Sequence, residues 1–338
     1  MNLPHNFHIP VMGICFTIDT PIKVAPYGIS SVISIIDDVV IEKMREFYHK
    51  KFNIPFISIP YQSKDYRAKR ITSYLNLIQD IVAKKFEELK NSINTKSKEF
   101  EKYISMLPDS SLLKQKIEQA KKMKTNLKDI WNWIKENLLV GNIDVNIMTK
   151  LDKDNFHNHE KLPIEFNDAH AALRGFAESK LDSSLVLSAG MNARLYSYIE
   201  KFDDFYPDEN GYLKKKIILK VSDYRSALIQ GKFLAKKGLW ISEYRVESPL
   251  NCGGHAFISE GLLLGPILEE FKKNRCELIS QNHEIYSEAL KTKKRYFPKN
   301  PLPVKFSAQG GVSTAEEHSF LLDNYQLDSI GWGTPFLL

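Results

Sequence analysis

The stretch that most constrains this chain is its final segment, residues 303–338, PVKFSAQGGVSTAEEHSFLLDNYQLDSIGWGTPFLL. An apolar run leads into Gly310-Gly311, a helical pattern covers 313–323, and a second apolar run ends at Gly331-Trp332-Gly333-Thr334. The order is strand, glycine turn, helix, strand, glycine turn. Consecutive turns of this kind leave bare backbone N–H groups able to surround the oxygens of a phosphate. In an eight-fold α/β barrel the usual phosphate site lies in the loops after the seventh and eighth strands. Such a segment requires six strands upstream.

Six are legible. Apolar runs at 8–15 and 30–36 come first, then one starting at 144 (DVNIMTKLD), then 184–188, 216–221 and 239–246. Each is short and rich in β-branched residues, and helical patterns at 39–50, 167–179, 224–237 and 262–291 separate most of them. Thr20 before Pro21 suggests a short first helix; Ser222-Asp223 cap the helix at 224, and Gly238 stops it. No GxGxxG follows the first strand, which argues against a doubly wound sheet. The predicted fold is α/β, a (β/α)8 TIM barrel.

Two features depart from a plain barrel. Residues 51–140 break the rhythm with helical patterns at 66–103 and 112–139, whose outer faces are rich in lysine. They read as a helical hairpin inserted into one βα connection. The chain also stops at the eighth strand, where a closed barrel wants a covering helix. A further C-terminal segment or a partner is therefore expected over that strand. The domains predicted are a barrel made of 1–50 and 141–338 and a lysine-rich insertion at 51–140.

Composition narrows the function classes. No run approaches the length of a membrane span, and the N-terminus lacks a secretory pattern. Cys15, Cys252 and Cys276 are odd in number and widely spaced, which suits a reduced, cytoplasmic protein without a cysteine metal site. The formal charge of +6 favours an anionic small-molecule substrate more than nucleic acid. His5 and His8 have no convincing ligand partner, so no metal is expected. A homo-oligomer is compatible with all of this.

In a barrel, chemistry gathers at the C-terminal ends of the strands. The strand limits place Asp19, Asp37, Lys150, Asp152, Asn192, Lys220, Glu247, Asn251, Cys252, His255, Gln309 and Thr334 there. Gly310, Gly311, Gly331 and Gly333 are the cradle for a phosphate, with Ser313 and Thr334 as hydroxyl donors and the helix from 314 adding N–H groups. Gly13 allows close approach of a flat ligand. Lys220, at a barrel mouth, would stabilise an anion such as an enolate or a reduced flavin; Lys150 is a second such lysine, and either is a candidate Schiff-base amine. His255 can move protons near neutral pH, and Cys252 is a nearby thiol that reads better as a small buried group. Asp19 and Asp37 read equally well as helix caps.

The order of Pro10-Val11-Met12-Gly13, Gly253-Gly254-His255, Gly310-Gly311-Val312 and Gly333-Thr334 resembles FMN-dependent α/β barrels. The nearest pattern is that of nitronate monooxygenases (2-nitropropane dioxygenase-like proteins); inosine-monophosphate dehydrogenase and glutamate-synthase barrels are more distant. The resemblance covers roughly 9–37 and 144–338 and omits 51–140. It implies that Met12 and Gly13 run along the flavin ring, that Lys220 approaches its N1–C2 side, and that Gly310, Gly311, Gly333 and Thr334 hold the FMN phosphate. It also implies that His255 is the base. The chain departs from the pattern in having Asn251-Cys252 before the glycines, and it lacks the loop cysteine of the dehydrogenase type, since Cys276 falls in a helical pattern. The expected function is thus an FMN-dependent oxidoreductase or monooxygenase acting on a small acidic carbon compound. The alternatives are a flavin-free, phosphate-binding lyase or aldolase using a lysine, and a non-enzymatic RNA- or protein-binding protein using the basic hairpin.

Overall fold

The structure, a computed structural model, describes residues 4–13, 17–35, 37–93, 97–109, 111–122, 127–147, 152–157, 159–188, 190–247 and 263–336. Eight strands form a closed parallel barrel: β1 Phe7–Ile9, β2 Ser30–Ser34, β3 Ile143–Ile147, β4 Ser183–Leu187, β5 Lys215–Val221, β6 Ile241–Glu247, β7 Lys305–Gln309 and β8 Ser329–Gly331. Each pairs with its neighbours in sequence, and β1 closes the ring, His8 lying beside Ser30 of β2 and Gly331 of β8. The expected TIM-barrel architecture is the one observed. The first strand is shorter than the apolar run at 8–15, because Pro10 has no N–H to give to a ladder and the chain leaves the sheet there; residues 14–16 lie outside the described residues.

The helices are α1 Thr20–Val24, α2 Asp38–Lys51, α3 Tyr66–Asn91, α4 Lys98–Met106, α5 Leu112–Lys122, α6 Leu127–Asn137, α7 Asp168–Ala177, α8 Ala193–Ile199, α9 Tyr224–Ala235, α10 Leu264–Thr292 and α11 Ala315–Tyr325. A small antiparallel hairpin, Phe156–His157 with Glu160–Lys161, decorates the β3–α7 connection. The outward faces of the strands carry Ile33, Val145, Leu185, Leu219, Val246 and Ala308 into one core with the surrounding helices. Among the described residues no helix is long and apolar enough to cross a membrane.

The inserted helices do two different things. Ile71, Tyr74, Leu75 and Ile78 of α3 belong to the main barrel core. Thr72 Oγ1 donates to the carbonyl of Gly175 at 3.0 Å, and a Cβ at Gly175 would lie 2.8 Å from the carbonyl oxygen of Ala68, so glycine there lets α3 and α7 touch by backbone. Thus α3 is a layer of the barrel. α4 to α6 instead build a second core with Phe86, Leu89, Phe100, Tyr103, Ile117 and Ile134. It is fastened beneath the N-terminal ends of β2 and β3. The Tyr103 hydroxyl bonds both the N–H and the carbonyl of Leu139 at 3.2 Å, and the Tyr27 hydroxyl donates to Glu99. The helical pattern at 66–103 is divided: α3 ends at Asn91, and Ser97 starts α4 by accepting from the Phe100 N–H at 3.2 Å. The pattern at 112–139 is likewise α5 and α6. Two lysines of this region make specific contacts. Lys85 Nζ donates to the Ile22 carbonyl at 2.8 Å, and Lys102 sits over the Tyr27 ring.

Candidate functional site

Val11, Val32, Val186 and Ile218 come from four neighbourhoods of the ring and pack on one another, which only side chains in the bore can do. Strand alternation then directs Ser34, Asn146, Asp144, Lys220, Ser307 and Gln309 inward as well. β6 reaches the same arrangement through an irregularity. The β5–β6 register shifts between Ile217 and Ile218, so Ile217 pairs with Ile241 but Ile218 pairs with Glu243. One extra residue changes parity. Ile241 therefore joins the outer core, while Glu243, Arg245 and Glu247 enter the bore.

The bore is consequently polar, where barrels of this class usually stack branched aliphatics. At its C-terminal end Lys220 Nζ donates to Glu247 Oε1 at 3.0 Å, and Gln309 Nε2 donates to the same oxygen. Gln309 Oε1 in turn accepts from His8 Nε2 at 3.4 Å, and His8 Nδ1 accepts from the Ser329 hydroxyl at 3.2 Å. The amide orientation fixes that tautomer. Burial, reinforced by the nearby Arg245 charge, pushes His8 down to about 3, so it is neutral. Deeper in the bore, Arg245 Nε and Nη2 donate to Glu243 Oε1 at 2.9 and 2.8 Å, Ser307 donates to that oxygen at 2.5 Å, and Asp144 Oδ2 lies 3.8 Å from Arg245 Nη2. Burial alone would raise Glu243, but Arg245 and its hydrogen bonds hold it low; for Asp144 burial outweighs Arg245 and raises it to about 6.

The two glycine corners leave adjacent strands at the same level, since Gly331 pairs with Gln309, the residue before Gly310. Gly310 and Gly311 have φ of +87° and +77°, a region that L side chains adopt only with strain. At Gly331 a Cβ would meet Gln309 Cβ at 2.5 Å and His8 Nε2 at 2.9 Å. Gly333 differs: its Cβ position has only Met12 and Pro10 atoms near it, at 3.7 to 3.8 Å. Met12 buries its side chain against Ile9 and Ile29, and Gly13, with φ of +108°, has nothing within 4 Å of its Cβ position. Thr334 opens a short 3-10 turn, Thr334–Phe336. The structure thus brings Met12, Gly13, Gly310, Gly311, Gly333 and Thr334 into one sector, β7–β8–β1, and the Glu247–Gln309 link joins Lys220 to it. Lys150, Cys252 and His255 lie outside the described residues.

Other expectations are corrected. Ser313 is not a spare phosphate donor. Its N–H and hydroxyl both donate to Glu317 Oε2 at 2.8 Å, and the Thr314 N–H joins them at 3.1 Å. This capping box already satisfies the start of α11 with an internal carboxylate. Asp19 accepts from the Tyr48 hydroxyl at 2.6 Å and from Lys23, without capping α1 through its side chain. Asn192 caps α8, and Asp152 accepts from the Ala169 N–H at 3.1 Å and pairs with His170; Asp37 takes the cap reading at α2, and Asp223 caps α9 as expected. These are structural carboxylates and amides. The sequence reading missed His8, Ser34, Asn146, Asp144 and Arg245 as bore residues. Polar side chains at every second position of β-branched runs, as in 243–247, are the signal that would have found them.

The features of this sector that bear on an anion are the left-handed pair Gly310-Gly311, the room for a Cβ at Gly333 beside Pro10 and Met12, and Lys220, paired with Glu247, in the same mouth. Among the described residues no group of three or more His, Cys, Asp or Glu could hold a metal ion. No protein-family model matches the chain, and no curated protein matches it in sequence.

Proposed function

We propose that this barrel is an FMN-dependent oxidoreductase whose substrate is a small acidic carbon compound. The observation that carries the reading is the pair of glycine corners on adjacent strands in matching register, with Met12-Gly13 alongside. Gly310, Gly311, Gly333 and Thr334 would hold the phosphate, and the backbone at Met12-Gly13 would follow the ring. Lys220 would face the ring's anionic side. Bound flavin supplies a two-electron acceptor, a chemistry the protein cannot supply itself. The chain's own part is positioning and proton handling. Glu247 holds the Lys220 ammonium in place, and Gln309 holds Glu247. His255 would remove the substrate's acidic proton, as the base that the resemblance implies. Oxygen or another acceptor would complete the turnover.

The lysine-lyase alternative is less well supported. The Lys220 amine is engaged by Glu247 and would have to break that bond to add to a carbonyl. The visible spectrum of the untreated protein, with mass identification of anything released on denaturation, separates the readings. A flavin spectrum and released FMN support the first. A colourless protein that does not take up FMN, yet is trapped on lysine by borohydride with a carbonyl substrate, supports the second and overturns the first.

A further inference from the structure

The N-terminal end of the bore, opposite the mouth described above, holds a polar cavity of about 440 Å³. Its walls include His5, His8, Asp144, Glu243, Arg245 and Lys305. A second cavity of about 400 Å³ shares Asn142, Asp144, Glu243 and Lys305 with it. Pro108, in the turn between α4 and α5, forms part of the first wall, so the insertion borders the space.

The charges in this end of the bore do not balance. Asp144 and Glu243 are two carboxylates against one guanidinium, Arg245, and all three are nearly inaccessible to solvent. His8 is neutral, and the Lys305 and Asp328 side chains stand at the exposed rim. Arg245 gives its hydrogen bonds to Glu243, not to Asp144. Ser184 hydrogen-bonds to the Asp144 carboxyl, but Oδ1 is left without a partner, although Asp144 is only 4% exposed. A buried carboxylate in that condition destabilises the fold, so stability does not explain it. His5 adds a second buried acceptor. Its Nε2 donates to the Tyr27 carbonyl at 3.3 Å, which leaves Nδ1 as an unpartnered lone pair on the same wall.

We infer that the N-terminal cavity is a second ligand site, which binds the primary ammonium group of a small polar organic molecule against Asp144. Such a group restores charge neutrality and brings three N–H donors to a wall whose unpartnered atoms are acceptors. The cavity is much larger than an alkali ion, which favours an organic amine. The proposal is independent of what binds at the C-terminal mouth. The groups facing Asp144 are Arg245 and Glu243 from β6, Lys305 from β7, Ser184 from β4 and His8 from β1. Of these, Asp144 is the one raised into the range between pH 5 and 7, so binding strengthens as pH rises through about 6.

The test is calorimetric titration of the full chain with 1,4-diaminobutane at pH 8 and pH 5, with tetramethylammonium and potassium chloride as comparators. The expected result is saturable diamine binding at pH 8, weaker at pH 5, with neither comparator competing. Asp144→Asn is close in shape and should fold, and it should weaken binding at least ~10-fold, as loss of a charge-assisted hydrogen bond does. No saturable binding at pH 8 overturns the inference. So does equal competition by tetramethylammonium or potassium, or unchanged affinity in a folded Asp144→Asn protein.

Discussion

Glu247 is the hub of the C-terminal mouth, because one of its oxygens receives both Lys220 and Gln309. Its side chain is 2% exposed and that of Lys220 is 12% exposed, so neither charge is relieved by solvent if the other is lost. Lys220→Met should therefore destabilise the protein by ~3 kcal/mol, the usual scale for stranding one partner of a buried pair. Lys220→Met combined with Glu247→Gln should recover most of that, measured as a double-mutant cycle by urea unfolding. A loss in the double variant equal to the sum of the losses in Lys220→Met and Glu247→Gln alone would show that the pair is not coupled. Asp144 makes a separate prediction. Its carboxyl is raised from 3.8 to about 6, so the folded state holds a proton that the unfolded chain has already released. The stabilising contribution is complete below about pH 4 and is lost as pH rises through 6. At ~1.4 kcal/mol per pH unit the loss reaches ~3 kcal/mol by pH 8. Without added amines, Asp144→Asn should remove that slope and be the more stable protein at pH 8. A wild-type slope unchanged by the substitution would contradict the assignment.

At the scale of elements, the turns after β7 and β8 carry the phosphate reading, and their glycines separate two roles. Gly331→Ala forces a Cβ to within 2.5 Å of Gln309 Cβ, so it should destabilise the fold by ~1–3 kcal/mol through overpacking, read as a lower urea midpoint. Gly333→Ala meets its neighbours at 3.7 Å or more and should leave stability unchanged. The strand–glycine–helix–strand–glycine order of 303–338 was legible because strand and helix periodicities differ, the left-handed turn at Gly310-Gly311 demands glycine, and the close approach of Gln309 demands it at Gly331. Other elements were not legible for definite reasons. Asp37, Asp152 and Asn192 sit where catalytic residues of a barrel sit, and a helix following a strand also wants its cap there. Sequence position cannot tell the two apart. The parity change at 241–243 is hidden because a single extra residue leaves the apolar run intact while turning Glu243, Arg245 and Glu247 into the bore. His8 looked unattached because its partners, Gln309 and Ser329, lie some three hundred residues away and meet it only when the barrel closes.

For the whole molecule, barrel closure produces two polar ends joined by one charged bore. The first and last strands of the ring, β1 and β8, pair with each other, and that seam is where the glycine corner, Pro10 and Met12 come together. The opposite end is bordered by the turn between α4 and α5 through Pro108, and α4–α6 share a core distinct from the barrel's own. The account rests on the seam binding a phosphate that carries a flavin. The most direct measurement is a fluorescence-quenching titration of the cofactor-free protein with FMN and with riboflavin, for wild type and Gly333→Ala. The account predicts that wild type binds FMN far more tightly than riboflavin. It also predicts that Gly333→Ala weakens FMN binding ~10-fold or more while leaving riboflavin binding and the urea midpoint where they were. Equal affinity for FMN and riboflavin in wild type, or an unchanged FMN affinity in Gly333→Ala, would contradict it.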